Sequence, residues 1–304
     1  MAEKLSRRRI LVAGFGAAAL TAAGHPLSRA EPALLDAPAG IEGEIADLER
    51  SYDALVGLYA VNLQTGRTLA HRDNDLFATC SAFKAYVAGQ VLRKEQRGEL
   101  RLTDTLYVNP AVFIPVASPI TGPRLGSAMP LSDLCAAAVR QSDNTATNLL
   151  LSMLGGPASV TEFARSIGDD RTWMVRWEPD LNTAYPGDPR DTTTPRAMGD
   201  GFRAMLTGDV FDEPRRIRIN EWMGSIVTGD SRIRAGLPPG WTVADKTGSG
   251  DYASTNDIGI ASGPDGQRIQ LAVMTRTRSA DPKAAPLDAL IADTTRIAVP
   301  WLLG

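Results

Sequence analysis

A chain of 304 residues, 43% hydrophobic and 22% charged, is long and apolar enough to bury a substantial core. Its formal charge of −3, with no basic run outside the N-terminus, argues against a nucleic-acid surface. Only two histidines (His25, His71) and two cysteines (Cys80, Cys135) are present, which excludes a His/Cys zinc centre and leaves any activated serine to rely on something other than histidine.

The N-terminus reads as an address. Ser6-Arg7-Arg8-Arg9-Ile10-Leu11 precedes a small apolar run, Val12 to Ala23, too short for a comfortable membrane span. The consecutive arginines resemble a bacterial twin-arginine export signal, and Ser28-Arg29-Ala30 offers a cleavage site. Residues 1–30 are therefore expected to be a signal and 31–40 a linker, with a periplasmic, envelope or secreted mature protein that carries no stable membrane span.

Ile41 to Tyr52 has helical spacing, and Val56–Leu63 and Thr68–His71 flank a hairpin turn at Gln64-Thr65-Gly66-Arg67. Cys80-Ser81-Ala82-Phe83-Lys84 then opens an apolar run to Leu92 that meets basic residues and Gly98, the pattern of a buried helix with a glycine stop. Spacing of i, i+3 puts the Ser81 hydroxyl and the Lys84 amine on one helical face, where a partly desolvated lysine can activate a serine. Helices are expected at Leu131–Arg140, Ala146–Leu154 and Pro195–Leu206. Strands return at Thr242–Lys246, Asn256–Ala261 and Arg268–Thr275, before a last helix from about Pro286 to Leu302.

Strands at both ends around a helical middle imply an α+β fold. The expected form is an αβα sandwich on one antiparallel sheet (about 41–75 and 217–304) with an all-helical lobe (about 76–216). The cleft between the lobes is the natural place for a site.

Three further motifs stand beside Ser81 and Lys84. Ser142-Asp143-Asn144 lies between two helices and suits a helix N-cap. Lys246-Thr247-Gly248 closes the first late strand and suits a turn. Arg176-Trp177-Glu178-Pro179-Asp180-Leu181-Asn182 opens a long loop ending near Asp191. Each alone is unremarkable; their order and separation together resemble a class A serine β-lactamase from about Ile41 to Leu303, whose motif set is S-x-x-K, S-D-N and K-T-G. Arg176 and Asp191 match the ion pair that pins the neck of that family's loop, and Asp191-Thr192-Thr193 and Asn256-Asp257 also match family stretches.

The resemblance implies roles. Ser81 would be the nucleophile, with Lys84 or Glu178 as its base, and Ser142 would relay a proton to the departing lactam nitrogen. Asn144 would bind the substrate amide; Lys246 and Thr247 would hold its carboxylate; the N–H groups of Ser81 and Ser249 would form the oxyanion hole. Glu178 and Asn182 would place the hydrolytic water. Thr255 stands where many members carry a carboxylate-binding arginine, and Arg232 resembles the substitute others use. Ala82 replaces a common threonine, Ala117 a cleft-mouth aromatic and Ser249 a common alanine. Disulfides of some members pair the positions of Cys135 and Ala88, or Cys80 and Gly250, so both thiols are expected to be free. No metal or cofactor is implied, the partner is a small β-lactam (a penicillin or cephalosporin), and a monomer is expected. The rival readings are a penicillin-binding D-Ala-D-Ala peptidase, which would lack the Glu178 loop, and a non-catalytic β-lactam sensor.

Overall fold

The computed structural model describes residues 39–304. The expected export signal, its cleavage site and most of the linker lie outside them. Helix α1 (Ala39–Ser51) leads into β1 (Ala54–Asn62), which turns through Gly66 into β2 (Thr68–His71). The short β3 (Phe77–Ala78) precedes a 3-10 turn at Cys80–Phe83, from which α2 (Lys84–Gln96) continues. Gly98, at φ +71°, ends α2 with its N–H and that of Glu99 bonded back to Glu95 and Lys94, the glycine stop read from the sequence.

A ribbon of β4 (Thr105–Tyr107) and β5 (Ala128–Pro130) introduces α3 (Leu131–Arg140), α4 (Asn144–Leu154) and α5 (Pro157–Ser166). The long loop returns through β6 (Thr192–Thr193), which pairs with β3. Helix α6 (Pro195–Thr207) starts on a Thr194 cap followed by proline, and α7 (Glu213–Gly224) on an Asp212 cap, both standard helix-start chemistry. Helix α7 straddles the lobe boundary expected near residue 217. After α8 (Ile233–Gly236) come β7 (Thr242–Ser249), β8 (Thr255–Ser262), β9 (Arg268–Thr277) and the closing α9 (Asp288–Leu303).

The sheet runs β2-β1-β9-β8-β7 with every neighbouring pair antiparallel, so strands from the two ends of the chain meet at β1–β9. Both faces are covered, which explains why β1 and β9 are buried along almost their whole length and do not alternate between buried and exposed. One apolar core, including Ile45, Leu58, Leu271, Ile291 and Val299, lies between the sheet and α1 and α9. The other joins the opposite face to the helical lobe around α2, whose residues Lys84–Leu92 are all buried. Among the described residues no helix is long and apolar enough to cross a membrane.

Glu49, 4% exposed, ties α1 to the sheet. Its carboxylate accepts from Val56 N (2.9 Å), from Arg72 Nε and Nη2 (2.8 and 3.0 Å) and from Arg278 Nη2 (3.1 Å). Burial pushes its pKa up, but the Arg72 and Val56 bonds and the nearby charges outweigh it and hold the group at about 2. The stabilisation is therefore present above the ordinary carboxylate range and lost as pH falls toward 2. Glu49→Gln is expected to lower Tm at pH 7 by several degrees, corresponding to roughly 2 kcal/mol for hydrogen bonds to a charge. The gap from the parent should close below about pH 3 in thermal melts; a gap independent of pH would show that shape, and not charge, holds the joint.

Candidate active site

The 3-10 turn at Cys80–Phe83 presents Ser81 half-exposed at the cleft, while Lys84, first residue of α2, is fully buried. The two do share a face, but a third group joins them. Glu178 Oε1 lies 3.3 Å from Ser81 Oγ, which donates to it, and 2.9 Å from Lys84 Nζ. Lys84 Nζ also reaches Ser142 O (2.7 Å), Ser142 Oγ (3.3 Å) and Asn144 Oδ1 (2.6 Å). Burial pushes its pKa down, and the Glu178 carboxylate opposes that fall.

Ser142 holds φ +56°, an uncommon conformation for a residue with a side chain. Asp143 fixes it: one carboxylate oxygen accepts from Ala146 N (2.8 Å) as the cap of α4 and from Thr121 Oγ1 (2.7 Å), the other from Ile120 N and Thr121 N (both 2.9 Å). The helix-cap reading of Ser-Asp-Asn is thus correct for Asp143 and incomplete for its neighbours. Ser142 Oγ stands 3.3 Å from both Lys84 Nζ and Lys246 Nζ, midway between two buried amines.

The turn expected at Lys246-Thr247-Gly248 is instead strand, because β7 continues to Ser249 at the edge of the sheet. The glycine answers a close approach. A Cβ on Gly248 would lie 2.8 Å from Thr79 O and 3.1 Å from Ala82 N, so a larger residue would push β7 away from the nucleophile turn. Lys246 is fully buried; desolvation, then Lys84 and Arg232, push its pKa down to about 7. Beside it Asp245 and Asp257 are buried as well, and desolvation raises both carboxyls, Asp245 further because it faces Asp257. Thr247 exchanges a hydroxyl bond (2.6 Å) with Thr228.

The loop opposite is pinned at its neck. Asp191 Oδ1 accepts from Val175 N (2.7 Å) and Arg176 N (2.9 Å), and Oδ2 from Arg176 Nε. Beyond a cis Glu178–Pro179 bond, Asn182 Nδ2 donates to Glu178 Oε2. Asn148 on α4 brackets the Glu178 backbone: its Oδ1 accepts from Glu178 N (3.2 Å) and its Nδ2 donates to Glu178 O (2.9 Å). Together these walls enclose a cleft of about 570 Å³ lined by Ser81, Ser142, Asn144, Asn182, Thr247 and Ser249 among others.

A β-lactamase enzyme family model matches residues 40–301. The chain is 40% identical to the β-lactamase AST-1 of Nocardia asteroides over 98% of its length and 96% of that protein's. It is 41% identical to a β-lactamase of Streptomyces fradiae over 96% and 95%. A solved β-lactamase from Desulfarculus baarsii superposes with a TM-score of 0.84 at 43% identity, covering 88% of this chain and 98% of that one. A variant of the class A β-lactamase of the last common ancestor of Gram-negative bacteria gives 0.83 at 42%, covering 87% and 99%. The chain belongs to the class A serine β-lactamase family.

Within this β-lactamase the residues singled out from the sequence converge on one cleft. Asn148 and Thr228 were not among them. Asn148 does carry a trace in the sequence, lying one helical turn beyond Asn144 on the same face; Thr228, in a connecting segment, carries none. Thr255 is buried away from the cleft, its hydroxyl donating to Ala253 O and accepting from Leu287 N (both 2.9 Å). Neither thiol is paired: Cys80 and Cys135 are free and buried, and burial raises both pKa values.

Arg232 does more than the sequence reading assigns it. It is 6% exposed and donates to Asp288 Oδ1 (2.8 Å), Gly248 O (2.9 Å), Asn256 O (2.8 Å) and Ser249 Oγ (2.7 Å). From the sequence, Arg232→Ala is expected to raise KM for penicillins far more than it changes stability. The four donated bonds add a stability cost: the variant should also lose roughly 2 kcal/mol, a Tm drop of about 4–8 °C. A Tm within 1 °C or so of the parent would return Arg232 to a purely substrate-facing role.

Proposed function

We propose that this β-lactamase hydrolyses penicillins and cephalosporins through an acyl-enzyme on Ser81, and the observation that carries the reading is Glu178 Oε1 within reach of both Ser81 Oγ and Lys84 Nζ. Ser81 Oγ attacks the lactam carbonyl and gives up its proton. The hydroxyl donates to Glu178 and Lys84 Nζ lies beside the same carboxylate oxygen, so either group can take the proton and acylation survives loss of the carboxylate. As the C–N bond breaks, the nitrogen takes a proton from Ser142, which Lys84 and Lys246 flank and can resupply. The N–H groups of Ser81 and Ser249 stabilise the oxyanion; one such donor is worth about 3–4 kcal/mol in related hydrolases. Asn144 receives the substrate amide, and Lys246, Thr247 and Ser249 its carboxylate, with Arg232 behind Ser249.

Release needs a water against the ester and a base beside it. Glu178 supplies the base and Asn182 orients the water. Asn182 Oδ1 is buried without a hydrogen-bond partner, an acceptor free for a water proton. A penicillin-binding peptidase has no need of this second carboxylate, so the pair Glu178–Asn182 favours the lactamase reading over it. The twin-arginine signal and a monomeric state complete the proposal.

Glu178→Ala should react with a penicillin yet turn over about 10²–10⁴-fold more slowly. Intact mass spectrometry should show the drug's full mass persisting on the protein, and near-normal turnover would falsify the assignment. The Lys246 pKa gives the pH dependence its sign. The cation that receives the substrate carboxylate is lost as pH rises through about 7, so kcat/KM should fall on the alkaline side with a midpoint near there. A profile flat from pH 6 to 9 would mean that another cation receives the carboxylate.

A further inference from the structure

The loop carrying Glu178 and Asn182 must stay in register with the end of β7 for the water to be held. Between residues 179–188 and the β7–β8 turn, 250–254, one backbone hydrogen bond is described, Asp251 N donating to Asn182 O (2.9 Å). The Tyr252 hydroxyl also lies against that of Tyr185, and desolvation together with this neighbour raises its pKa. A further link is aromatic. Tyr185 on the loop meets Tyr252 on the turn edge to face, ring centroids 5.6 Å apart at 78°. Tyr185 is 64% exposed, so burial in the core does not explain its position.

The two partners differ in how firmly they are set. Tyr252 N donates to Pro282 O, and Thr277 N donates to Tyr252 O (both 3.0 Å), which anchors the turn to the end of β9. Tyr252 and Ala253 both adopt positive φ (+56° and +51°), a conformation that this anchoring sustains. On the loop side Ala184, between Asn182 and Tyr185, is also left-handed at φ +42°, turning the Tyr185 ring toward the turn. Contact is close throughout: a Cβ on Gly250 would lie 2.7 Å from Asn182 O.

We propose that the Tyr185–Tyr252 pair is a positioning clasp that holds the Asn182 carboxamide against the β7 end and so sets the rate of acyl-enzyme hydrolysis. The inference rests on the acyl-serine reading above. Tyr252 is the fixed post and Tyr185 the arm. Losing one edge-to-face pair shifts a local closed–open balance by about 2- to 12-fold. Acylation uses Ser81, Lys84, Ser142 and the Glu178 carboxylate, but Glu178 is also held outside the clasp, by Lys84 Nζ at 2.9 Å and by Asn148 at its backbone, so the defect should fall on the water that Asn182 orients and hence on the second step.

The test is Tyr185→Ala, chosen because the side chain is exposed, beside Tyr252→Ala and the two Phe variants, using benzylpenicillin. Slowed hydrolysis lowers kcat and KM together and leaves kcat/KM unchanged, with more of the enzyme trapped at the acyl mass in steady state. A drop of up to about 12-fold in both constants is expected for either Ala variant, with Phe at either position restoring the parent values. A merely structural pair would lower Tm or active fraction with KM untouched, and that result overturns the proposal, as does unchanged kcat or a fall in kcat/KM. The two readings fail separately. Absence of an acyl adduct in the Glu178→Ala protein removes the acyl-serine mechanism, whereas normal kinetics in the tyrosine variants of a working enzyme remove only the clasp.

Discussion

Asp191 sets the distance on which the cleft depends. Its carboxylate gathers Val175 N, Arg176 N and the Arg176 side chain, while its backbone carbonyl accepts from Thr79 N (2.8 Å) and Thr79 Oγ1 (3.1 Å), two residues before the nucleophile. One residue therefore fastens both the neck of the Glu178 loop and the base of the serine turn. Its φ of +57° is the strained geometry that lets side chain and carbonyl face different partners. Through Thr79 the constraint reaches further, because Thr79 O is the atom that Gly248 must clear. Base, nucleophile and carboxylate-binding strand thus meet through two adjoining backbone contacts.

That arrangement explains the burial of charge. Lys84, Lys246, Glu178, Asp245 and Asp257 are all nearly inaccessible, a costly set unless each charge is paired or neutralised. Lys84 is offset by Glu178, and Asp257 by Ile233 N and the nearby Arg232 charge. Burial still shifts both lysines and both aspartates toward their neutral forms, Asp245 well above the usual carboxylate range and Lys246 down to about 7. A site that must both move protons and bind an anion keeps its amines easier to deprotonate than they are in water.

Much of this was legible in the sequence because it rests on short-range rules. The buried α2 with its Gly98 stop, the hairpin of β1 and β2 and the strands β7 to β9 follow from apolar runs and turn residues. The four motifs located the cleft because its chemistry requires particular residue types. What escaped depends on contacts made only by the folded chain. Nothing local says that Lys246-Thr247-Gly248 continues as strand, since the reason is its pairing with Asn256 and Asp257. Likewise Arg232 resembles a ligand-binding residue by position, while its four donated bonds come from segments up to 56 residues away. The two-residue strands β3 and β6 are too short to leave any pattern.

The pairing register also decides what can be done with the chain's end. Gly248 and Ser249 lie at one end of β7; at the other, Thr242 pairs with Ser262, which pairs with Arg268, beside the Asn62–Ile269 pair. Helix α9 finishes there, with Leu302 O accepting from Asn62 Nδ2 (3.0 Å) and Trp301 O from Arg67 Nη1 (2.7 Å). The carboxyl end is thus separated from the cleft by the length of the strand, roughly 20 Å. A tether, reporter domain or solid support joined at Gly304 would hang from the far rim of the sheet, leaving the mouth of the cleft open to diffusing drug.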